Sequence, residues 1–214
     1  IVKVLLDSDL TIPFDIIRGY DLPNYVNRNT LVIASSYSGN TEETLSSLEQ
    51  AEKKGAQLAI IASGGKLIDI ATTYGIAHVS LPGGVQPRMA MIYNLHALFA
   101  VLNTFSVINR NLLDELEKLS GWLGREIAAW APDVPTEQNY AKQLALDAVG
   151  KTPVFYGGQL TGPLAYKWKI SWNETAKNTA FWNEYPEFNH NEFMGWTSHP
   201  VEKPFVVFDI KSSF

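Results

Sequence analysis

Three short apolar runs, separated by helix-forming stretches, constrain the fold of this chain more than any other feature. The runs span residues 31–35, 58–62 and 77–81, and each has the length and composition of a strand that is buried on both faces. Helical stretches at 41–54 and 66–74 lie between them, and each is followed by a glycine, which readily ends a helix. This alternation predicts a parallel sheet that is covered by helices on both faces.

A proline-containing segment marks the expected boundary between two subdomains. Helical patterns at 88–105 and 112–131 precede it, and Pro132 and Pro135 then interrupt the helical pattern. We therefore expect an N-terminal subdomain at 1–131, a linker at 132–137 and a C-terminal subdomain at 138–214.

The C-terminal subdomain shows a second α/β pattern. Its predicted elements are a helix at 138–149, a strand at 152–156, a helix at 163–177 and a strand at 205–210. The expected fold class is therefore α/β, with two subdomains that each contain a parallel sheet flanked by helices.

Composition argues against several functional classes. The formal net charge of −5 argues against nucleic acid and anionic membranes as partners. The chain has no cysteine, and a run of 18 apolar residues is absent, so neither a disulfide nor a membrane span is predicted. No signal peptide is visible, and the cytoplasm is the expected location.

The segment between the first strand and the first helix is rich in hydroxyl groups. Ser36, Ser38 and Thr41 can donate hydrogen bonds, and Gly39 allows a ligand to approach the backbone. The carboxyl end of a parallel strand and the N-terminus of the next helix together favour a phosphate group. No lysine or arginine lies in this loop, so a phosphate would be held by neutral donors.

The same residues also allow a purely structural interpretation. Serine, asparagine and threonine are common N-cap residues, and Asn40 with Glu43 has the spacing of a capping box. Spacing alone does not decide between a capped helix and a phosphate site.

The run Ser36-Tyr37-Ser38-Gly39-Asn40-Thr41-Glu42-Glu43-Thr44 resembles the signature of the sugar isomerase (SIS) domain. The second half of the chain resembles two further motifs, those of the bifunctional phosphoglucose/phosphomannose isomerases. These motifs are Asn173-Glu174-Thr175-Ala176-Lys177 and the run Pro186-Glu187-Phe188-Asn189-His190-Asn191-Glu192, followed by Gly195-Trp196. Thr175 stands where the family usually has asparagine. The resemblance implies that a glycine-rich sugar-binding loop precedes Ile1 and that a lysine-bearing segment follows Phe214.

The resemblance also implies a role for each candidate catalytic residue. Glu174 is expected to be the base that transfers the proton, and His190 the group that assists opening of the sugar ring. Arg88, in the Gln86-Pro87-Arg88 segment, is expected near the reacting oxygens, while Ser36, Ser38 and Thr41 are expected to hold the 6-phosphate. It further implies a homodimer in which His190 is contributed by the neighbouring subunit.

These residue types suit the interconversion of an aldose and a ketose phosphate. The reaction moves a proton between C1 and C2 through a cis-enediol, and a carboxylate can act as the base when its surroundings raise its pKa. We expect partial desolvation of Glu174, because its helix is apolar and contains tryptophan. Histidine titrates near neutrality and arginine stays charged, so His190 and Arg88 suit their roles. No metal and no cofactor is expected.

The predicted activity is therefore interconversion of glucose 6-phosphate with fructose 6-phosphate, with mannose 6-phosphate as a further candidate substrate. Taken alone, Glu174 could be a solvated helix residue, His190 a cap and Arg88 an exposed first-turn residue. Two other functions stay open: a non-catalytic SIS regulator that binds a sugar phosphate, and another SIS ketose-phosphate isomerase or deaminase.

Overall fold

The computed structural model describes residues 1–108, 111–197 and 204–212, and these ranges form two three-stranded sheets. The strands are β1 (Leu31–Ser35), β2 (Gln57–Ala62), β3 (Ala77–Ser80), β4 (Thr152–Gly157), β5 (Phe181–Glu184) and β6 (Phe205–Ile210). The helices are α1 (Val2–Leu5), α2 (Glu42–Lys53), α3 (Gly65–Tyr74), α4 (Met91–Thr104), α5 (Leu112–Ala129), α6 (Tyr140–Asp147), α7 (Gly162–Ala176) and α8 (Glu192–Thr197). Short 3-10 helices span Pro87–Met89, Thr136–Gln138 and Glu187–His190.

The chain divides into two compact units. One is Asp9–Glu117, and the other combines Ile1–Ser8 with Lys118–Phe214. This division falls inside α5, whereas the sequence places the boundary at the linker 132–137. The assignment of subdomains to 1–131 and 138–214 therefore stays a prediction.

The first sheet lies between helices of the same unit. Its strands are parallel and lie in the order β1-β2-β3. Adjacent residues of β2 point to opposite faces: Ile60 packs with Leu48 of α2 and Leu67 of α3, while Ile61 packs with Ala97 of α4. The predicted parallel sheet with helices on both faces is thus confirmed for this unit.

The second sheet has the order β5-β4-β6, and both outer strands run parallel to β4. The side chains of β4 again alternate between two faces. Phe155 packs with Ala165 of α7 on one face. Val154 and Tyr156 pack with Phe188, from the 3-10 helix Glu187–His190, on the other. The predicted fold class, with two parallel sheets in an α/β chain, is therefore confirmed.

Strand β5 was not predicted from the sequence. It is only four residues long, and Phe181 at its start is 54% exposed. The sequence therefore shows neither a long apolar run nor a regular alternation of apolar and polar residues at this strand. Its pairing with β4 continues past its last residue, because the Tyr185 amide donates to the Gly157 carbonyl at 2.9 Å. Backbone pairing rather than side-chain burial thus defines this strand.

The helix boundaries differ from the predicted ones by a few residues, for local reasons. The helix predicted to begin at residue 88 begins at Met91, because Pro87–Met89 forms a 3-10 turn first. The helix predicted to begin at 138 begins at Tyr140, where the Asn139 side chain accepts a hydrogen bond from the Lys142 amide at 3.1 Å. Within the described ranges, no helix is long and apolar enough to cross a lipid bilayer.

The loops that follow β1 and β2 interlock at two glycines. Gly39 has a φ of 70°, and a Cβ atom there would overlap the Gly64 carbonyl oxygen. Gly65 has a φ of 69°, and a Cβ atom there would lie 2.5 Å from the Ser38 carbonyl oxygen. The Gly39 carbonyl accepts a hydrogen bond from the Leu67 amide at 3.0 Å. Side chains at these glycines would force the two loops apart.

This contact predicts that alanine is tolerated much less well at Gly39 than at Gly55. Both glycines have a left-handed backbone conformation, with φ values of 70° and 68°, but a Cβ atom at Gly55 would meet no atom within 4 Å. Gly55→Ala should lower the free energy of unfolding by about 1–2 kcal/mol. Gly39→Ala should lower it by about 2–5 kcal/mol, because backbone must also move. Urea unfolding measures both values, and equal losses would contradict the interlocking of the loops.

Candidate functional site

The loop Ser36–Thr41 connects the carboxyl end of β1 to the start of α2, the place where parallel α/β sheets bind ligands. Ser36 is buried, and its Oγ lies 2.6 Å from Thr41 Oγ1, while Ser38 and Thr41 are exposed. One of these two hydroxyl groups donates its hydrogen to the other. The accepting hydroxyl group therefore keeps its own hydrogen, which it can donate to a ligand.

The N-terminus of α2 adds backbone donors beside these hydroxyl groups. Thr41 is the N-cap residue, and its side chain makes no capping hydrogen bond. The first helical bond runs from the Leu45 amide to the Thr41 carbonyl at 3.0 Å, so the amides of residues 42–44 precede the regular helical bonding. Amides and hydroxyls are thus concentrated at the positive end of a helix dipole, which favours an anion.

The capping-box interpretation of Asn40 is wrong. The Asn40 side chain accepts a hydrogen bond from the Lys66 amide at 3.1 Å, in the first turn of α3, and donates to the Ser38 carbonyl at 3.2 Å. It therefore caps the helix that follows β2, because the interlocked loops bring Asn40 next to the start of α3. The sequence placed Asn40 correctly in the loop but could not show which helix it caps.

Arg88 belongs to the loop region that follows β3, in the same unit. It is half-buried within the 3-10 helix Pro87–Met89. The Tyr37 hydroxyl donates to the Pro82 carbonyl at 2.8 Å and accepts from the Val85 amide at 3.4 Å. Tyr37 therefore ties the segment leading to Arg88 to the loop Ser36–Thr41, across the end of β2. The motif contains this tyrosine, but its bridging role was not predicted.

Glu174 lies in the last turn of α7, in the other unit. Neighbouring motif residues close this helix. Lys177 takes a left-handed conformation with a φ of 56°, and its Nζ donates to the Glu174 carbonyl at 2.6 Å. The Asn173 side chain donates to the Asn178 carbonyl at 2.9 Å. The Glu174 side chain is exposed, so the partial desolvation expected from its apolar helix is not provided by α7.

His190 ends the 3-10 helix Glu187–His190, and its side chain is exposed. Phe188, two residues earlier, is fully buried and stacks on Tyr156 with ring centroids 4.2 Å apart. It also packs on Tyr185, with ring centroids 4.5 Å apart. The segment is thus fixed to the sheet by an aromatic anchor, while the imidazole faces away from the core.

A polar network fixes the same segment after His190. The Tyr156 hydroxyl donates to Glu192 Oε2 at 2.6 Å, and Asn183 Nδ2 donates to Glu192 Oε1 at 2.9 Å. The Trp196 indole donates to the Tyr156 oxygen at 3.0 Å. Burial, and then the hydrogen bond to the Glu192 carboxylate, raise the pKa of Tyr156 above its ordinary value. Glu192 is therefore a partner of two strands rather than a surface charge.

Glu174 and His190 belong to elements that cover opposite faces of the second sheet. Helix α7 packs on the Phe155 face of β4, and the segment with His190 packs on the face of Val154 and Tyr156. Both side chains are exposed, and the sheet lies between their elements. The structure therefore brings Ser36, Ser38 and Thr41 together in one loop, but it does not bring Glu174 and His190 of one chain together.

Comparison with known proteins agrees with the motifs. Residues 137–214 match the model of the bacterial phospho-glucose isomerase C-terminal SIS domain. Over 92% of its length the chain is 39% identical to the bifunctional phosphoglucose/phosphomannose isomerase of Caldicellulosiruptor bescii, and it covers 58% of that protein. It is also 34% identical, over 92% of its length, to the D-glucosamine-6-phosphate 4-epimerase of Sulfolobus acidocaldarius, of which it covers 60%.

A solved structure shows the same fold. The crystal structure of glucosamine-6-phosphate deaminase from Thermotoga maritima aligns with 99% of this chain and 57% of that one, with a TM-score of 0.63 at 15% identity. This similarity concerns the fold alone. The chain spans only 58–60% of the two curated relatives described above. Within that span, the sequence identity and the domain match agree, and the chain belongs to the SIS-domain family of bifunctional phosphoglucose/phosphomannose isomerases.

Proposed function

We propose that the protein containing this chain is an aldose–ketose isomerase that interconverts glucose 6-phosphate and fructose 6-phosphate through a cis-enediol. Mannose 6-phosphate is a further substrate in this proposal. The observation that carries it is the exposed Glu174, held at the end of α7 by residues of its own motif, in a chain 39% identical to a bifunctional isomerase. A binding module would not need Glu174 and His190 together in their two motifs.

In this proposal the loop Ser36–Thr41 holds the 6-phosphate. The buried Ser36 hydroxyl fixes Thr41, so that Thr41 and the exposed Ser38 can donate to phosphate oxygens. The amides at the start of α2 complete the set of donors. Binding by neutral groups in a rigid loop leaves the charged residues for the reacting end of the sugar.

Each of the three charged or titratable candidates has one task in the reaction. Glu174 removes a proton from one of the two reacting carbons and returns it to the other. Arg88 stabilises the negative oxygen of the enediolate, because its guanidinium stays charged throughout. His190 moves a proton between the ring oxygen and the hydroxyl group as the cyclic sugar opens.

We propose that these tasks are shared between two copies of the chain. Glu174 and His190 lie on elements that cover opposite faces of one sheet, and both point to solvent. A second copy related by two-fold symmetry can supply its His190 to the Glu174 of the first, and the reverse. The homodimer is thus the arrangement in which both residues can act on the same sugar.

The relative named as a glucosamine-phosphate epimerase supports a second candidate function. Because that protein is 34% identical to this chain, epimerisation of a hexosamine 6-phosphate at C4 is an alternative that the family itself raises. Both activities need the phosphate loop, so only the products distinguish them.

Loss of a loop hydroxyl is expected to weaken binding of the phosphate. Ser38→Ala and Thr41→Ala should each raise KM for hexose 6-phosphates by about tenfold or more, because a hydrogen bond to a charged group is worth about 1.5–3 kcal/mol. Inorganic phosphate should compete with the substrate. Thr72→Ala is the matched control, since this exposed threonine lies in the last turn of α3 and bonds to the Ile68 carbonyl. An unchanged KM in both loop variants, without phosphate inhibition, would rule out this role.

The shared site predicts that two inactive variants restore activity when they are combined. Glu174→Gln and His190→Ala of the full-length protein should each lose nearly all turnover. After the two are unfolded and refolded together, a mixed dimer has one site with both lesions and one intact site. About half of the dimers are mixed under random pairing, so about a quarter of the wild-type activity should return.

The control combines two lesions at the same residue. Glu174→Gln refolded with Glu174→Ala cannot form an intact site in any dimer, so its activity should stay at the level of the single variants. If mixed dimers of Glu174→Gln and His190→Ala form without any gain in activity, His190 does not act across the interface.

A further inference from the structure

The carboxylate of Glu192 joins two strands of the second sheet to the segment that carries His190. It accepts one hydrogen bond from Tyr156 of β4 at 2.6 Å and another from Asn183 of β5 at 2.9 Å. Tyr156 is only 4% exposed, so this contact is largely shielded from water. Hydrogen bonds of these lengths to a carboxylate are stronger than bonds between neutral groups.

The segment is anchored on both sides of His190. Phe188, two residues before the histidine, is fully buried against Tyr156. Glu192, two residues after it, reaches the hydroxyl of that same tyrosine. Trp196 adds a third contact, because its indole donates to the Tyr156 hydroxyl at 3.0 Å. His190 therefore lies at the exposed top of a short loop whose two ends are attached to one side chain of β4.

We propose that Glu192 is a positioning residue, which fixes the loop so that His190 is presented in one place to the sugar. This inference rests on the proposed function, since it assigns a task to Glu192 within the same reaction. Glu192 does not touch the substrate in this account. It acts through His190, whose proton transfer needs its ring nitrogen within hydrogen-bond reach of the sugar oxygens.

The network favours a carboxylate at this position. Both partners of Glu192 approach with hydrogen atoms, one from the Tyr156 hydroxyl and one from the Asn183 amide group. The other side of the Asn183 side chain is already used, because its Oδ1 accepts from the Glu184 amide at 2.9 Å. A glutamine at 192 would set an N–H group either against the Asn183 amide or against the Tyr156 hydroxyl, which already accepts a hydrogen bond from the Trp196 indole. It would also replace the hydrogen bonds to a charged acceptor by weaker ones to a neutral group. Rotating Asn183 to avoid that clash would break its bond to Glu184.

Glu187 is the matched control within the same segment. Its carboxylate accepts a hydrogen bond from Asn191 Nδ2 at 2.9 Å, and the residue is exposed. The substitution Glu187→Gln removes the same charge three residues before His190, yet it leaves the contacts with Tyr156 and Asn183 in place.

The first test compares steady-state kinetics of the two glutamine variants in the full-length protein. Glu192→Gln should lower kcat for fructose 6-phosphate by about tenfold, the effect of one lost hydrogen bond to a charged group, with KM within about twofold of wild type. Glu187→Gln should keep the wild-type kcat. Tyr156→Phe, which keeps the aromatic stacking, removes one partner of the carboxylate and should lower kcat in the same way.

The second test asks through which residue Glu192 acts. In mixed dimers of Glu174→Gln and His190→Ala, the intact site takes its histidine from the Glu174→Gln chain. Adding Glu192→Gln to that chain should lower the recovered activity by about tenfold, whereas adding it to the His190→Ala chain should leave the recovered activity unchanged. A purely structural role would lower the activity in both placements.

The outcomes separate this inference from the proposed function. If the wild-type protein does not isomerise fructose 6-phosphate, the proposed function fails, and Glu192 has no task to perform in it. If the wild type is active and Glu192→Gln turns over like Glu187→Gln, only the positioning role is overturned. It is overturned equally if both placements in the mixed dimers lose the same activity. If Glu192→Gln does not fold, the kinetics of Tyr156→Phe decide, and a wild-type kcat there would contradict the positioning role.

Discussion

The alternation of side chains along β4 is the constraint on which the unit with the second sheet depends. Phe155 points to one face and is buried under α7, while Tyr156 points to the other and is buried under the loop with His190. Because successive residues of a strand must face opposite ways, the two covering elements cannot lie on the same side. Glu174 and His190 are thereby placed on different surfaces of one chain. In the proposed function, a dimer of two chains is the arrangement that lets both residues act in one reaction.

A different constraint shapes the unit with the first sheet, where three loops meet at the carboxyl ends of the strands. Gly39 and Gly65 let the first two loops approach each other, and Tyr37 ties the third loop to the first. Asn40 caps α3, which uses one of the amides at the start of that helix. The start of α2 has no such cap from its own N-cap residue, Thr41, so its amides remain the natural place for an anion.

Much of the fold could be predicted from the sequence, because short apolar runs that alternate with helical patterns indicate which strands are buried. The four-residue strand β5 could not be predicted, since backbone pairing with β4 holds it in the sheet. Motif resemblance predicted Glu174, His190 and Arg88 as site residues, and these assignments stay predictions, but it did not predict the contacts that hold their segments in place. The bridging by Tyr37 and the hydrogen bond from Tyr156 to Glu192 depend on contacts between residues 36 to 48 positions apart, which spacing within a motif cannot reveal. Exposure of Glu174 was missed for a different reason: the burial of an apolar helix does not extend to its last turn, where Glu174 lies.

The proposed reaction depends on transfer of a proton to C2 of the sugar. The most direct measurement incubates the full-length protein with fructose 6-phosphate in deuterated water and follows the products by NMR. Glucose 6-phosphate should form and should carry deuterium at C2, because the base exchanges its proton with solvent during the reaction. A protein that forms no aldose from fructose 6-phosphate but changes the configuration of glucosamine 6-phosphate at C4 would contradict the account.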